Sequence, residues 1–411
     1  MEFREFLQTS YSPWHAVANA EQMLTEAGFI KLTEEISQTV VPNGAYYVKR
    51  GGSIIAFRTA ATNEKMHIIA SHTDSPCLKL KEHAAASDEN FTRLNTEPYG
   101  GGLWYTFFDR PLKLAGRVVR EQEGTLTSEN FVSSFNVVLP SLAIHQNRDA
   151  NEKFAPNLQT ELPLLALGKT DFDALLGGAI AYDLFAVPDV EPFNSGANGE
   201  FLSSPRIDNL SSMYASLTSL INAEAEDATL VCACLEAEEI GSRTRAGAGG
   251  DFLRSTIERI AFALADDIDG LYARSMLISL DNAHSLHPNH PEKCDPTNRA
   301  VMGKGIVIKG HAGGAYTTDA MTAAVIKKIF ERAEVAYQTF YNRSDARSGS
   351  TLGAISLSQV CMPSVDLGLA QLAMHSAVET MALADFDTLL KGLAAFYASK
   401  ITFEGDTATV E

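Results

Sequence analysis

The sequence predicts an α/β fold with a mixed central β-sheet flanked by helices on both faces, interrupted by a long β-rich insertion. After Pro205, apolar runs typical of buried strands alternate with the amphipathic patterns of helices. In the middle third of the chain this alternation stops, glycines cluster, and strand-like segments recur. We therefore expect a discontinuous main domain of residues 1–77 and 204–411, into which residues 78–203 are inserted as a β-rich domain.

The N-terminal part of the chain predicts a helix followed by strands. An apolar stripe at helical spacing runs through the first 30 residues and ends at Gly28, a typical helix stop. Short apolar or alternating runs at 46–48 and 53–57 predict strands, and 66–70 predicts a buried strand. That buried strand ends abruptly in the polar segment 71–76.

The chain after Pro205 predicts helices and strands in alternation. In chain order, the pattern gives a helix from about Met213, a strand around Cys232, a helix at 252–262, a strand at 276–280, a helix after Thr318, a strand at 364–368 and a helix at 386–397. Cys232 and Cys234 lie two apart, so a strand directs both to one face. We interpret them as small buried residues and not as metal ligands.

The charge balance limits the possible partners. With 33 Lys+Arg and 51 Asp+Glu, the formal net charge is −18, which excludes nucleic acid and anionic membrane surfaces as partners. No run of about 18 apolar residues is present, so no membrane-spanning helix is predicted. The first residues carry acid without an apolar signal region, and five scattered cysteines make no disulfide framework. We therefore expect a cytoplasmic protein.

Acidic and histidine residues fall where the predicted strands end. His72, the pair Glu238-Glu239, Asp281 and His375 each follow a strand or an apolar run into a loop, and Asp208 precedes a predicted helix. In an open α/β sheet the ligand crevice lies beyond the carboxyl ends of the strands. We expect these side chains, although far apart in sequence, to meet there.

The residue types suit zinc or a similar divalent ion, for which imidazole and carboxylate are ligands. Two histidines and three carboxylates would hold two ions, with His72 on one, His375 on the other and Asp208 bridging. Two such ions can polarise a carbonyl and generate hydroxide near neutral pH. Glu238 would then be the general base and Glu239 a ligand. Asp74, two residues after His72, would fix the imidazole ring through its other nitrogen.

Each of these residues has an ordinary structural alternative when taken alone. Asp208 could be a helix N-cap, and Glu238-Glu239 a solvated acidic edge. Asp281 could be a turn residue, and His375 a histidine of the core. The order and spacing of all of them together favour the metal site.

Five short segments, and several in the insertion, resemble the aspartyl aminopeptidase family, the M18 metallopeptidases. Those of the main domain are SHTDSP at 71–76, RIDNL at 206–210, EEIGS at 238–242, SLDNAH at 279–284 and MHS at 374–376. Those of the insertion are EPYGGGL at 97–103, Asp109-Arg110 and LAIHQNR at 142–148. The resemblance runs from the first helix to about Ala384.

The resemblance implies a metallopeptidase domain with a mixed central sheet, carrying an inserted β-rich dimerisation domain. It implies removal of an N-terminal residue from peptides with two zinc ions per subunit. The ligands would be His72, Asp208, Glu239, Asp281 and His375, with Glu238 as the general base. It also implies a homo-oligomer, a tetrahedral dodecamer built from dimers, in which His145 of the insertion reaches a neighbouring active site.

Specificity is expected for N-terminal Asp or Glu, because many family members prefer them. The resemblance offers Lys309 as the cation that binds the acidic side chain. The segments 311–316 and 343–350 depart from the family pattern, which leaves a broader or neutral-residue aminopeptidase as the alternative. A metal-dependent deacylase or carboxypeptidase, and an inactive assembly subunit, are further alternatives. Manganese or cobalt could replace zinc at such ligands.

Three histidines follow Asp281, namely His284, His287 and His290. Pro288 interrupts any helix there, so the three cannot share one helical face. We expect them to be loop residues that shape the wall of the site.

Overall fold

The computed structural model describes residues 1–34, 40–61, 64–168, 171–264, 267–346 and 349–411. Positions 347 and 348 of the segment 343–350 therefore lie outside the described residues. No helix in these ranges is both long and apolar enough to cross a membrane.

The helices within these ranges alternate with strands through the second half of the chain. They are α1 (Phe3–Thr9), α2 (Pro13–Glu26), α3 (Phe172–Leu175), α4 (Ile207–Asn222), α5 (Phe252–Leu264), α6 (Ile268–Arg274), α7 (Ala320–Arg332), α8 (Leu352–Ser356) and α9 (Leu383–Ala398). The strands are β1 (Ile30–Lys31), β2 (Ala45–Arg50), β3 (Ser53–Arg58), β4 (Met66–His72), β5 (Cys77–Ser87), β6 (Thr92–Tyr99), β7 (Leu112–Gln122), β8 (Thr125–Val137), β9 (Leu164–Leu167), β10 (Ala181–Pro188), β11 (Phe193–Ser195), β12 (Phe201–Ser204), β13 (Thr229–Leu235), β14 (Met276–Leu280), β15 (Ala283–His284), β16 (Ile306–Lys309), β17 (Tyr337–Phe340), β18 (Ser364–Gly368), β19 (Ala370–Leu372), β20 (Glu379–Ala382), β21 (Ile401–Glu404) and β22 (Thr407–Val410).

The main sheet is mixed, as the sequence predicts. Within the described chain it has nine strands in the order β1-β2-β3-β13-β4-β14-β18-β16-β17. The four neighbours β13, β4, β14 and β18 run parallel, so their carboxyl ends share one edge of the sheet. This shared edge is where the sequence predicts the metal site.

Helices cover both faces of this sheet, which confirms the α/β prediction. Successive strand residues alternate between two cores: Ile69 packs with α2, α4, α7 and α9 on one face, and Ile68 packs with α5 and α6 on the other. Cys232 and Cys234 both point into the first core, with their sulfurs 3.7 Å apart. They are small buried residues, as expected.

A second sheet is built from the predicted insertion. Its strands, as far as the chain is described, are β8-β7-β10-β5-β6-β9, spanning Cys77 to Pro188. They have their own apolar core, which includes Leu78, Leu114 and Leu184. A third sheet pairs β12 with β20 of the main part. The boundary at residue 203 stays a prediction, since β12 lies at that junction.

The N-terminal segment forms two helices where the sequence analysis expected one. Pro13 occupies the first turn of α2, and Ser12 before it is extended. Proline has no N–H to continue an α-helix and fits only its first turn, so α1 ends before it. The stop at Gly28 is confirmed, with φ of 83°.

Candidate metal centre

Three neighbouring parallel strands deliver most of the predicted site residues. His72 is the last residue of β4, and Asp281 directly follows β14. Glu238 and Glu239 follow β13 in a short 3-10 turn. Because β13, β4 and β14 are adjacent and parallel, their carboxyl ends bring these side chains together.

Asp208 and His375 reach the same place from other elements. Asp208 lies at the start of α4, where its backbone (φ −81°, ψ 106°) is not helical. No described hydrogen bond joins its carboxylate to a backbone N–H of this helix, so Asp208 is not a helix N-cap. His375 lies between β19 and β20 with φ of 67°.

Asp208 stands between the two histidines. Its Oδ1 lies 3.4 Å from Nε2 of His72, and its Oδ2 lies 3.5 Å from Nε2 of His375. Asp281 Oδ1 is 3.5 Å from the same nitrogen of His72, and Glu239 Oε1 is 3.4 Å from that of His375. We call His72, Asp208 and Asp281 the His72 half-site, and His375, Asp208 and Glu239 the His375 half-site.

The donor atoms fit divalent metal ions. Nδ1 of His72 donates to the Asp74 carbonyl and Nδ1 of His375 to the Gly101 carbonyl, both at 3.0 Å. Both Nε2 atoms thereby face the carboxylates and carry the lone pair that a metal ion would take. Two ligand atoms on one tetrahedral zinc ion lie about 3.3 Å apart, close to the separations in both half-sites. Asp208 Oδ1 and Glu239 Oε1 are buried without a hydrogen-bond partner in the described chain.

The electrostatics of these side chains also favour bound cations. Burial, together with the charges of Asp281 and Asp74, raises the pKa of Glu238 to about 8. Burial alone would lower the pKa of His375, but Asp208 and Glu239 raise it to about 10. Buried carboxylates at this density are costly unless cations pair with them. Two divalent ions would supply that charge.

Asp74 supports the site more broadly than the sequence analysis expected. Its Oδ1 lies 3.5 Å from Nδ1 of His72, so the carbonyl of Asp74 is the closer partner of that ring. The carboxylate accepts the backbone N–H groups of Glu238 and Glu239 at 3.1 and 3.2 Å. It also accepts the hydroxyl of Tyr99 at 2.9 Å. Asp74 therefore orients three functional residues at once.

The half-sites open into a cavity of about 600 Å³. Lys309, His284 and His287 line it with Tyr316, whereas His290 is not among the lining residues described. The ammonium of Lys309 is buried and donates to the carbonyls of Asp281 and Asn282 at 2.8 and 3.2 Å. It also lies 3.7 Å from Asp281 Oδ2.

His145 lies away from this cavity in its own subunit. It is exposed on the loop between β8 and β9, and it is not among the described residues that line the cavity. Its predicted role toward a neighbouring active site stays a prediction.

Two supporting residues were missed in the sequence. They are Tyr99, which lies in the EPYGGGL segment at 97–103, and Glu379. Glu379 is buried and accepts the backbone N–H groups of Asp208 and His375. Burial and the charge of Asp208 raise the pKa of Glu379 to about 8. The only available signal was an acidic residue four positions after His375 at the start of a strand.

The chain matches the family described as "Aminopeptidase I zinc metalloprotease (M18)" over residues 6–174 and 177–397. A Clostridium acetobutylicum protein named "Probable M18 family aminopeptidase 2" is 38% identical, over 96% of this chain and 97% of that protein. A Pseudomonas fluorescens protein of the same name is 37% identical over the same shares.

Solved structures agree with this match. A chain in the cryo-EM structure of the Ape4 and Nbr1 complex superposes with a TM-score of 0.92 at 30% identity, covering 96% of this chain and 84% of that one. The S. cerevisiae mApe1 dodecamer gives a TM-score of 0.83 at 25% identity, covering 96% and 95%. An M18 aminopeptidase from Thermotoga maritima shares the fold, with a TM-score of 0.85 at 21% identity, covering 96% and 94%.

The fold and the clustered ligands define a metallopeptidase with a divalent metal cofactor. The chain belongs to the M18 family of zinc metalloproteases, and it is a metallo-aminopeptidase. This confirms the resemblance seen in the sequence motifs, and it argues against the deacylase, carboxypeptidase and inactive-subunit alternatives.

Proposed function

We propose that this protein is a dinuclear zinc aminopeptidase that removes N-terminal Asp or Glu from peptides. The observation that carries the proposal is Asp208, whose two oxygens face two different imidazole nitrogens at 3.4 and 3.5 Å. A carboxylate in this position would bridge two bound ions. His72 with Asp281, and His375 with Glu239, then complete the two half-sites.

Zinc bound there would polarise the scissile carbonyl and lower the pKa of water, and the same ligands accept manganese or cobalt. Glu238 is the general base. Its carboxyl lies within 4.8 Å of ligand atoms of His72 and Glu239, so it reaches the space beside both half-sites. It takes a proton from the attacking water and returns it to the leaving amine. Asp74 holds the Glu238 backbone for this task.

Lys309 is the proposed partner of the acidic substrate side chain. Two of its three N–H bonds are used by backbone carbonyls. Its remaining contact, with Asp281 Oδ2 at 3.7 Å, is longer than a hydrogen bond, so a substrate carboxylate in the cavity would take the third N–H. Because the whole chain carries a charge of −18, attraction of an acidic substrate has to come from this local cation and from the metals.

The assembly is proposed by likeness to relatives. The S. cerevisiae mApe1 structure is a dodecamer. For this protein we propose a tetrahedral dodecamer built from dimers, which would bring His145 to a neighbouring active site. In this arrangement residues 78–203 act as the dimerisation domain and 1–77 with 204–411 as the catalytic domain. A cytoplasmic location is part of the proposal.

The general base is tested with Glu238→Gln. We expect turnover to fall by about 10²- to 10⁴-fold while metal content, measured by elemental analysis, stays at two ions per subunit. Glu236→Gln is the matched control, because Glu236 lies at the same strand end but binds Gly52 and Thr244. Substantial residual activity in Glu238→Gln would refute the role.

Specificity is tested with peptides that differ only in the N-terminal residue. The wild type should prefer Asp or Glu over Ala, and Lys309→Met should remove that preference. Lys65→Met is the control, since Lys65 also donates to a backbone carbonyl but lies away from the cavity. A wild type that cleaves N-terminal Ala as well as Asp would favour the broader aminopeptidase. Acetylated peptides should resist cleavage, because an aminopeptidase needs the free amine.

A further inference from the structure

Glu379 connects the backbones of two metal ligands. It is the first residue of β20 and its side chain is 1% exposed. Its Oε2 accepts the N–H of Asp208 at 2.8 Å, and its Oε1 accepts the N–H of His375 at 2.6 Å. These two ligands come from parts of the chain that are 167 positions apart, and one carboxylate fixes both.

Both bonds act on backbone that is not in an ordinary regular conformation. Asp208 is non-helical although it lies in α4, and His375 has a positive φ of 67°. A non-glycine residue holds a positive φ such as that of His375 only when its surroundings impose it. The N–H bond from His375 to Glu379 is one such contact, and the N–H bond from Asp208 holds the non-helical backbone from which that side chain points.

The hydrogen bonds of Glu379 continue toward the end of β14, where Asp281 and Asn282 lie. Gln371 donates to Glu379 Oε1 at 3.4 Å, and its own Oε1 accepts Asn282 Nδ2 at 2.9 Å. Asn282 follows the ligand Asp281 and also donates to the carbonyl of Ile207. The network therefore reaches residues adjacent to ligands of both half-sites.

We propose that Glu379 is a positioning residue that sets the spacing between Asp208 and His375 and so couples the two metal ions. The proposal rests on the two-ion function proposed above. Glu379 holds two of the three ligands of the His375 half-site but only the shared Asp208 of the His72 half-site. Replacing Glu379 should therefore lower the affinity for one ion more than the affinity for the other.

The chain offers a matched control in Asp385. This carboxylate is also 1% exposed, and it also accepts two backbone N–H groups, those of Gly303 and Gly305 at 2.6 and 2.8 Å. Neither glycine is a metal ligand. Asp385→Asn therefore makes the same chemical change at a buried two-point contact outside the metal centre.

The test measures stepwise zinc affinities of the full chain by chelator competition, in Glu379→Gln, Asp385→Asn and the wild type. The glutamine amide keeps one acceptor but turns its NH₂ toward the second N–H. We expect the weaker-binding ion of Glu379→Gln to lose about 10- to 100-fold in affinity, the range for loss of groups that orient ligands. The other ion should change less, and Asp385→Asn should bind both ions as the wild type does. In cobalt-loaded protein, the absorption spectrum of Glu379→Gln should change for one of the two ions.

Glu379→Asp keeps the charge but is too short to reach both N–H groups, and it serves if the glutamine variant does not fold. Unchanged stepwise affinities in a folded Glu379 variant, or an equal loss in Asp385→Asn, would overturn the proposal. A wild type that binds a single ion would instead refute the two-ion function, so the two failures are distinguishable.

Discussion

Tyr99→Phe removes a single oxygen atom from the support of the metal centre. Tyr99 ends β6 of the inserted sheet, and its hydroxyl donates to Asp74 Oδ2 at 2.9 Å. Burial and the charge of Asp74 raise the pKa of Tyr99, so the phenol is neutral and donates at every usable assay pH. Phenylalanine retains the ring, which packs against Phe185. The substitution therefore isolates one hydrogen bond.

The expected effect follows from what remains around Asp74. A hydrogen bond to a charged group contributes about 1.5–3 kcal/mol, which corresponds to about 10- to 150-fold in an affinity or a rate. Asp74 keeps its bonds from the Glu238 and Glu239 backbone, so it loses one of three donors. We therefore expect the lower end, a fall of about 10- to 30-fold in kcat/KM at saturating zinc.

The control is Tyr182→Phe. Tyr182 lies in the same inserted sheet, and its hydroxyl donates to the carbonyl of Lys81 at 2.7 Å, outside the metal centre. The Tyr182→Phe variant should lose about as much folding stability as Tyr99→Phe does, but it should retain the wild-type kcat/KM. Wild-type kcat/KM in a folded Tyr99→Phe variant, or an equal loss in Tyr182→Phe, would show that the inserted sheet does not act through Asp74.

Three further predictions concern protons and charge. The pKa of His375 is raised to about 10 and that of His72 well above its usual value in the metal-free protein, so zinc must displace protons; calorimetry should detect proton release, and zinc affinity should rise from pH 6 to pH 8. Burial lowers the pKa of His67 from 6.5 to about 4, so the unfolded chain binds this proton more tightly than the folded chain does. The free energy of unfolding should therefore fall by up to about 3 kcal/mol as the pH falls from 6.5 to about 4. His67→Leu should remove this loss in urea unfolding measured at pH 7 and pH 5, whereas an unchanged pH dependence would contradict the assignment. The net charge of −18 opposes acidic substrates, so added salt should raise kcat/KM for N-terminal Asp relative to Ala, and a fall in that ratio would contradict long-range repulsion.

The parts of the site that could be predicted are those fixed by local patterns. A buried strand is a short apolar run, and the polar residue that ends it is visible in the sequence. His72 and Asp281 were found in this way, and Glu238-Glu239 followed from the Cys232 strand. That these side chains lie close together could be predicted from the rule that the carboxyl ends of parallel strands share one edge of the sheet.

What could not be predicted depends on how distant segments pack. The hydrogen bond of Tyr99 to Asp74 requires the inserted sheet to lie against the main one, and no local pattern encodes that. The position of Glu379 depends on a turn in which His375 adopts a positive φ, which is rare for a residue other than glycine. Pro13 marks the break between α1 and α2, whereas the apolar stripe runs through that break and predicts a single helix.

The inserted sheet contributes directly to the metal centre, and this changes the meaning of the predicted division into two domains. The segment after β6 supplies the carbonyl of Gly101 to the His375 ring, and Leu103 donates its N–H to the His375 carbonyl at 2.9 Å. Gly100 lies so close to Glu239 that a Cβ there would be 3.1 Å from the Cβ of Glu239, and its φ of +74° disfavours any side chain. Residues of the insertion thus orient one ligand and leave room for another. The predicted boundary separates two sheets, whereas the proposed metal centre draws on both, because Gly101 of the insertion holds the His375 ring with its Nε2 toward Asp208 and Glu239.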